Sequence, residues 1–275
     1  MKWLKTAAKS VFPASLRALV RGTFGWRWFD GYYPSWSAAL ADSKGYEDAV
    51  IIKKVAESTR AVREGRAAFE RDGVSFHEAS DEKGLLEALQ TVADSIDPQS
   101  WNIVDFGGAL GTTYWRHRLK IERLRIERWD VVEQPHFVAA GLAQRVAGDK
   151  LDFFETVRAA QGASQHKVLL ASTSLQYIED PFSEIREWMD EGFAWLIINN
   201  LPLHSRAPDR IALQRVPPEI YRASYPVWFF NRDRFLACFE GRYTMVAEFA
   251  SEAVWLVDRR NYPSTGLLFR KKIAG

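Results

Sequence analysis

Apolar positions recur at spacings of three and four from Ser37 to about Phe69, where Ala49, Ile52, Val55, Ala56, Thr59 and Val62 share one side of a helix weakened at Gly65. Glu70-Arg71-Asp72-Gly73 reads as a turn. A second stripe, Leu85, Leu86, Leu89, Val92 and Ile96, predicts a helix that starts near Ser80, Asp81 and Glu82 and stops at Asp97-Pro98. Ahead of these, Trp3, Leu4, Ala7, Ala8, Val11 and Phe12 form a stripe, with Lys2, Lys5 and Lys9 off it. Residues 22–36 are crowded with glycine and aromatic side chains and read as a heavily packed loop. The expectation is therefore a helical N-terminal extension over residues 1–99.

From residue 100 the period changes. Short apolar runs at Ile103–Phe106, Trp129–Val132, Leu151–Phe154, Lys167–Ser172 and Phe193–Asn199 alternate with helical stretches, two of them opened by Pro135 and Pro181. The runs lack polar alternation, as expected of parallel strands covered on both faces. Strand and helix in alternation predict an open, mostly parallel α/β sheet over residues 100–275, with ligands bound beyond the strands' C-terminal ends. The tail differs. Asn200 to Phe230 shows no clear period, Arg232 to Phe239 reads as a helix, and Tyr243–Phe249 and Thr265–Arg270 read as two strands joined by a polar segment.

Composition narrows the function classes. A net charge of +2 asks for no nucleic-acid partner, and the single cysteine, Cys238, forms no internal disulfide, which fits a reducing cytoplasm. No apolar run is long enough to span a membrane. Five histidines and one cysteine show no metal-ligand spacing. The basic stripe over residues 1–22 has two readings: peripheral contact with an anionic membrane at its inner face, or packing on protein. Oligomeric state is left open.

The candidate chemistry centres on Asn102–Gly111, an apolar run around Asp105 that breaks into Gly107, Gly108 and Gly111 before a helix. Strand, glycine turn and helix hold nucleotide-like ligands, and glycine lets a ligand approach the main chain. An acid at the strand's end suits a cationic or hydroxyl-rich ligand better than a phosphate. Asp105, Gly107 and Gly111 with Ala109 in place of a middle glycine resemble the first motif of class I S-adenosylmethionine-dependent methyltransferases. Glu133 ends the next strand, 28 residues on, where an acid accepts from ribose hydroxyls. Ser172-Thr173-Ser174-Leu175-Gln176-Tyr177 resembles the family stretch that lines the methionine part of the cofactor.

The chain also resembles, from about Trp26 to Phe269, a bacterial methyltransferase family associated with cell-surface polysaccharide gene clusters. That resemblance implies a Rossmann-like sheet finished by an antiparallel C-terminal strand pair, S-adenosyl-L-methionine as cofactor, and a small-molecule or saccharide acceptor methylated on oxygen. It implies that Asp105, Gly107, Gly108, Gly111, Glu133, Ser172 and Thr173 contact the cofactor, with Phe153 or Phe154 beside the adenine. His204 is the first candidate for a general base, because it follows the fifth strand and has a near-neutral intrinsic pKa. Tyr177 and Tyr225 are alternatives. Two rival readings remain: a nicotinamide-dependent oxidoreductase and a non-catalytic binding module.

Overall fold

The computed structural model describes residues 29–43, 48–97, 99–146, 148–160, 166–205, 208–216, 223–257 and 260–273. The basic stripe over residues 1–22 lies outside the described residues. In chain order the elements are β1 (Phe29–Tyr33), α1 (Trp36–Asp42), α2 (Asp48–Arg63), β2 (Phe69–Arg71), β3 (Val74–Phe76), α3 (Lys83–Ile96) and β4 (Trp101–Phe106). They continue as α4 (Thr112–Ile121), β5 (Ile126–Val132), α5 (Pro135–Gln144), β6 (Leu151–Phe154), β7 (Lys167–Ser172), α6 (Pro181–Glu191) and β8 (Trp195–His204). Last come β9 (Arg210–Arg215), β10 (Ser224–Asn231), α7 (Arg232–Ala237), β11 (Tyr243–Val257) and β12 (Arg260–Lys271).

The five apolar runs pair in parallel in the order β6-β5-β4-β7-β8. β12 lies antiparallel to β8, and β11 antiparallel to β12. This is the expected Rossmann-like α/β sheet with an antiparallel C-terminal pair. Alternation along the strands explains the two helical layers. Ile103, Val131, Val168, Leu170 and Ile197 turn to one face and pack with α2, α3 and α5 through Val55, Leu89 and Phe137. Val104, Val132, Leu169, Ala171 and Ile198 turn to the other and pack with α6 and α7 through Ile185, Trp188 and Phe235. Both faces are apolar because both are covered.

Three expectations need correction. The loop over residues 22–36 contains a strand: β1 pairs with β11 and β9 inside the main sheet. The aperiodic stretch after Asn200 is also largely strand, since β8 runs on to His204 and β9 and β10 form an antiparallel pair. The polar segment between the last two strands is shorter than expected, because β11 and β12 extend to Val257 and Arg260. Finally, β10 pairs with the far end of β8, Phe230 opposite Leu203 and Asn231 opposite His204. The strands β8, β12, β11, β1, β9 and β10 thereby close into a ring. Phe29, Val227, Phe229 and Trp255 pack together there, the Phe29 ring lying 5.2 Å from that of Trp255. Period-2 alternation is weak in such strands because aromatics, prolines and arginines occupy both faces.

α3 closes the N-terminal region onto the sheet: Gly84 at its start and Gly266 on β12 both lie under the ring of Phe249 on β11. A Cβ at Gly266 would fall 1.9 Å from that ring. Gly266→Ala is expected to destabilise the chain by about 1–3 kcal/mol through overpacking. Urea unfolding would show this as a lower midpoint at unchanged slope, and an unchanged midpoint would refute it.

Candidate functional site

The turn after β4 is built around a buried carboxylate. Asp105 is 1% exposed, and its Oδ2 accepts the indole N–H of Trp129 at 2.8 Å. Gly108 lies directly above it: a Cβ there would come 2.6 Å from that carboxylate. Gly107 faces Ser174 across the turn, with 2.4 Å between its would-be Cβ and the serine Cβ, and the Ser174 hydroxyl donates to the Phe106 carbonyl at 2.7 Å. Gly111 caps α4 in the left-handed region at φ 83° and abuts Leu151. Each of the three glycines thus answers a named close approach or a positive φ. Ala109 stands at φ 52°, the left-handed backbone that the missing middle glycine would adopt freely.

Glu133 joins the same turn. Its Oε1 accepts the Ala109 N–H at 3.2 Å and its Oε2 accepts the Gln134 N–H at 2.9 Å. Ser172 and Thr173 stand at the end of β7, the strand beside β4. The Ser172 hydroxyl accepts from Asn199 Nδ2 at 3.0 Å, and Thr173, at φ 61°, donates its N–H to the Asn199 carbonyl at 3.0 Å. Asp105, Gly107, Gly108, Glu133, Ser172 and Thr173 therefore cluster where the parallel strands end.

Phe153 and His204 do not join them. Phe153 is buried against the face of Gly141 on α5, so its ring is spent in the core. Phe154 turns to the other layer and carries the Arg128 guanidinium 5.9 Å from its centroid. His204 is not in a loop beyond the strand but is the last residue of β8. It sits five residues past Asn199, on the order of 16 Å of extended chain, packed edge-on to Tyr262 with Nε2 donating to the Phe229 carbonyl at 3.3 Å. Tyr177 donates to Gln214 Oε1 at 2.6 Å and stands edge-on to Tyr225, so both candidate tyrosines face the ring of strands.

Two acids that the sequence reading placed elsewhere complete the site. Glu82 serves no capping role at α3; its carboxylate turns inward. It meets Arg116 at 3.2 Å, His117 Nε2 at 3.1 Å and Asn200 Nδ2 at 3.3 Å. Arg116 also donates to the Ser80 carbonyl and covers the Phe69 ring, so one ionic knot ties α3, β2, α4 and β8 together. Glu70 accepts from the Thr112 hydroxyl, at the first turn of α4, and from the Gly73 N–H at 3.3 Å. The only sequence signal for Glu82 was its own charge in a helix start, and for Asn199-Asn200 a polar pair inside an apolar run.

Electrostatics follow from burial. Desolvation pushes the Asp105 carboxyl up to about 7, the Trp129 N–H opposing this and the charges of Glu133 and Glu82 adding to it. Burial likewise pushes Glu70 up to about 7 despite the Thr112 hydrogen bond, and raises Glu133. Burial also works against the ionised form of Glu82, but the His117 hydrogen bond and the Arg116 charge outweigh it and hold its carboxyl below the usual range. The turn is thus ringed by carboxyl groups, with the Arg116 guanidinium and the His117 ring engaged on Glu82.

No family model matches the chain, and no curated protein matches it. Among solved structures, it is similar to the N-terminal domain of EvdMO1, determined in the presence of SAH and D-fucose, at 15% identity and TM-score 0.45, covering 78% of this chain and 96% of that chain. It is similar to an S-adenosylmethionine-dependent methyltransferase from Clostridium acetobutylicum at 9% identity and TM-score 0.46, covering 70% and 92%. It is similar to the glycopeptide N-methyltransferase MtfA, complexed with S-adenosyl-L-methionine, at 12% identity and TM-score 0.43, covering 69% and 94%.

Two outcomes follow. A left-handed alanine costs about 1–2 kcal/mol, partly offset by the entropy a glycine would lose, so Ala109→Gly is expected to leave stability unchanged or raise it by up to about 1 kcal/mol. A clear fall in unfolding midpoint would contradict this. Asp105 titrates higher folded than unfolded, so the folded state binds more protons between about pH 4 and about pH 7. Its contribution to stability is present at acid pH and is lost as pH rises through about 7. Asp105→Asn keeps an acceptor for Trp129, and its Tm relative to the parent chain is expected to climb from pH 5 to pH 8. A constant difference would refute this.

Proposed function

We propose that this chain is an S-adenosylmethionine-dependent methyltransferase that methylates a hydroxyl on a small-molecule or saccharide acceptor. The observation that carries the reading is Asp105, a carboxylate ending the first parallel strand beneath a glycine turn, with Glu133 tied to the same turn through the Ala109 N–H. The donor set fits the group. Buried carboxylates favour a sulfonium and an ammonium, and Glu133 stands where a ribose would offer two hydroxyls.

The same geometry speaks against a nicotinamide dinucleotide. A pyrophosphate rests on the N-terminus of the helix after the glycine turn. Here that helix start carries Glu70 on Thr112, with Asp105 behind the turn. Two acids at that place repel a diphosphate.

When bound, the cofactor supplies an already activated methyl group. What this chain's residues must do is orient the acceptor and exclude water. Asp105 holds the amino-acid end and Glu133 the ribose, and Ser172 and Thr173 border the turn. With His204 on the ring of strands, its Nε2 on the Phe229 carbonyl, the reading uses positioning alone and assigns no general base. The saccharide acceptor and the place of residues 1–22 on an inner membrane face belong to this proposal as well; the acidic, hydrogen-bonding site suits a hydroxyl-rich ligand.

Calorimetric titration of the purified chain with S-adenosylmethionine, S-adenosylhomocysteine and NADH tests it. The first two are expected to bind and NADH not; binding of NADH alone would overturn the assignment. Because a cation favours the ionised carboxyl, affinity for S-adenosylmethionine is expected to rise as pH passes about 7, with proton release. Glu133→Gln is expected to weaken nucleoside binding by about tenfold or more, the worth of a charge-assisted hydrogen bond.

A further inference from the structure

The β2–β3 hairpin stands apart from the main sheet. Its strands are three residues each and pair only with one another, Phe69 opposite Phe76 and Arg71 opposite Val74. Two-stranded units of this size are marginal without outside support. Ser58 Oγ on α2 donates to the Gly73 carbonyl at 2.8 Å, and a Cβ on Gly73 would come 3.0 Å from the Lys54 side chain. Phe69 stacks on Phe76 and lies under the Arg116 guanidinium, 4.3 Å from its ring. The contact nearest the glycine turn is Glu70 on the hydroxyl of Thr112, the first residue of α4, whose own N–H reaches the Gly108 carbonyl at 3.2 Å. That contact is a poor one for a charge. Glu70 is 3% exposed, and the Thr112 hydroxyl and the Gly73 N–H that it accepts from, the latter at 3.3 Å, are both neutral. The charged groups around it are Arg71 and Asp72 in the hairpin, Lys54 on α2, and Arg116 on α4, which is engaged on Glu82. A buried carboxylate served only by neutral donors is costly, and burial accordingly pushes the Glu70 carboxyl up to about 7. The chain can bend on either side of the hairpin: Gly65 turns at φ 73° with open space beside it, and residues 77–81 are exposed and outside any helix or strand.

We propose that the β2–β3 hairpin is a pH-sensitive strap: Glu70, seated on Thr112, latches it against the end of the glycine turn, and its release opens that wall of the site to an incoming ligand. Ionisation of Glu70 favours the open arrangement, in which water solvates the carboxylate. The latched arrangement binds more protons, so latching is fullest at acid pH and is lost as pH rises through about 7. Asp105 ionises over the same range, so the wall loosens while the floor of the turn gains its charge. The strap is a property of the chain alone; its role as a gate rests on the nucleoside reading above.

Amide hydrogen exchange of the full chain without ligand, followed by NMR and expressed as protection relative to the unstructured rate at each pH, tests the strap. The Ala68 N–H, on the Phe76 carbonyl at 2.7 Å, reports the hairpin, and the Val104 and Leu169 amides of β4 and β7 report global unfolding. Protection at Ala68 is expected to fall by about tenfold to a hundredfold from pH 5 to pH 8, with the core amides better protected throughout. Glu70→Gln keeps an acceptor for Thr112 and cannot ionise, so its hairpin protection is expected to stay level with pH. Thr112→Val removes the hydroxyl and is expected to lower hairpin protection by about tenfold at pH 8 and by less at pH 5. A level profile in the parent chain, an equal fall in Glu70→Gln, or a fall shared by the core amides overturns the strap. The gate is read from the association rate of S-adenosylhomocysteine at pH 8, expected to be about tenfold faster in the parent than in Glu70→Gln. Equal rates overturn the gate. A parent chain that binds no S-adenosylhomocysteine overturns the nucleoside reading, and the exchange profiles still decide the strap.

Discussion

A desolvated carboxylate beneath a backbone turn constrains most of what surrounds it. Asp105 has 1% of its surface exposed and one strong donor, Trp129. The space it needs is the space a side chain on Gly108 would fill. Trp129, itself fully buried in the next strand, must reach across to it, which fixes the register of β4 and β5 at the place where ligands gather. Glu133 then locks the far side of the turn through Ala109. A charge in so dry a position is costly, and the protein carries that cost at the strand ends while both faces of the sheet are filled with apolar side chains.

The second buried acid changes the standing of the N-terminal region. Glu82 belongs to the segment just ahead of α3, yet its partners are on α4 and β8. Arg116 reaches back to the Ser80 carbonyl and over Phe69. Residues 69–97 therefore form one wall of the site and are not an appendage to it. β1 makes the same point at the other end of the sheet, where Phe29 sits among Phe229, Trp255 and Val257.

Much of this was legible in the residues. The five parallel strands announced themselves as apolar runs, and Pro135 and Pro181 marked helix starts that the structure keeps. Asp105, Gly107, Gly108, Gly111 and Glu133 could be picked out because close backbone approach demands glycine and strand ends favour acids. What could not be read was direction. Nothing in Leu-Asp-Phe-Phe says that Phe153 turns onto Gly141, and nothing in Ser-Asp-Glu says that Glu82 turns inward. β9, β10 and β1 were missed because non-local pairing, not periodicity, makes them strands. His204 was misplaced for the same reason: the polar pair Asn199-Asn200 looks like an end, while the backbone bends through a left-handed residue and carries on.

That continuation has a bearing on how the molecule meets copies of itself. A sheet normally presents two outer strands whose unpaired amides and carbonyls invite another chain to add on. Here one outer strand, β10, is folded back and hydrogen-bonded to β8 in the sheet's own interior. Among the described strands the opposite margin is β6, only four residues long. Bending one rim inward and keeping the other short gives adventitious strand addition little to grip, so a protein rich in β-structure carries its own guard against fibrous association.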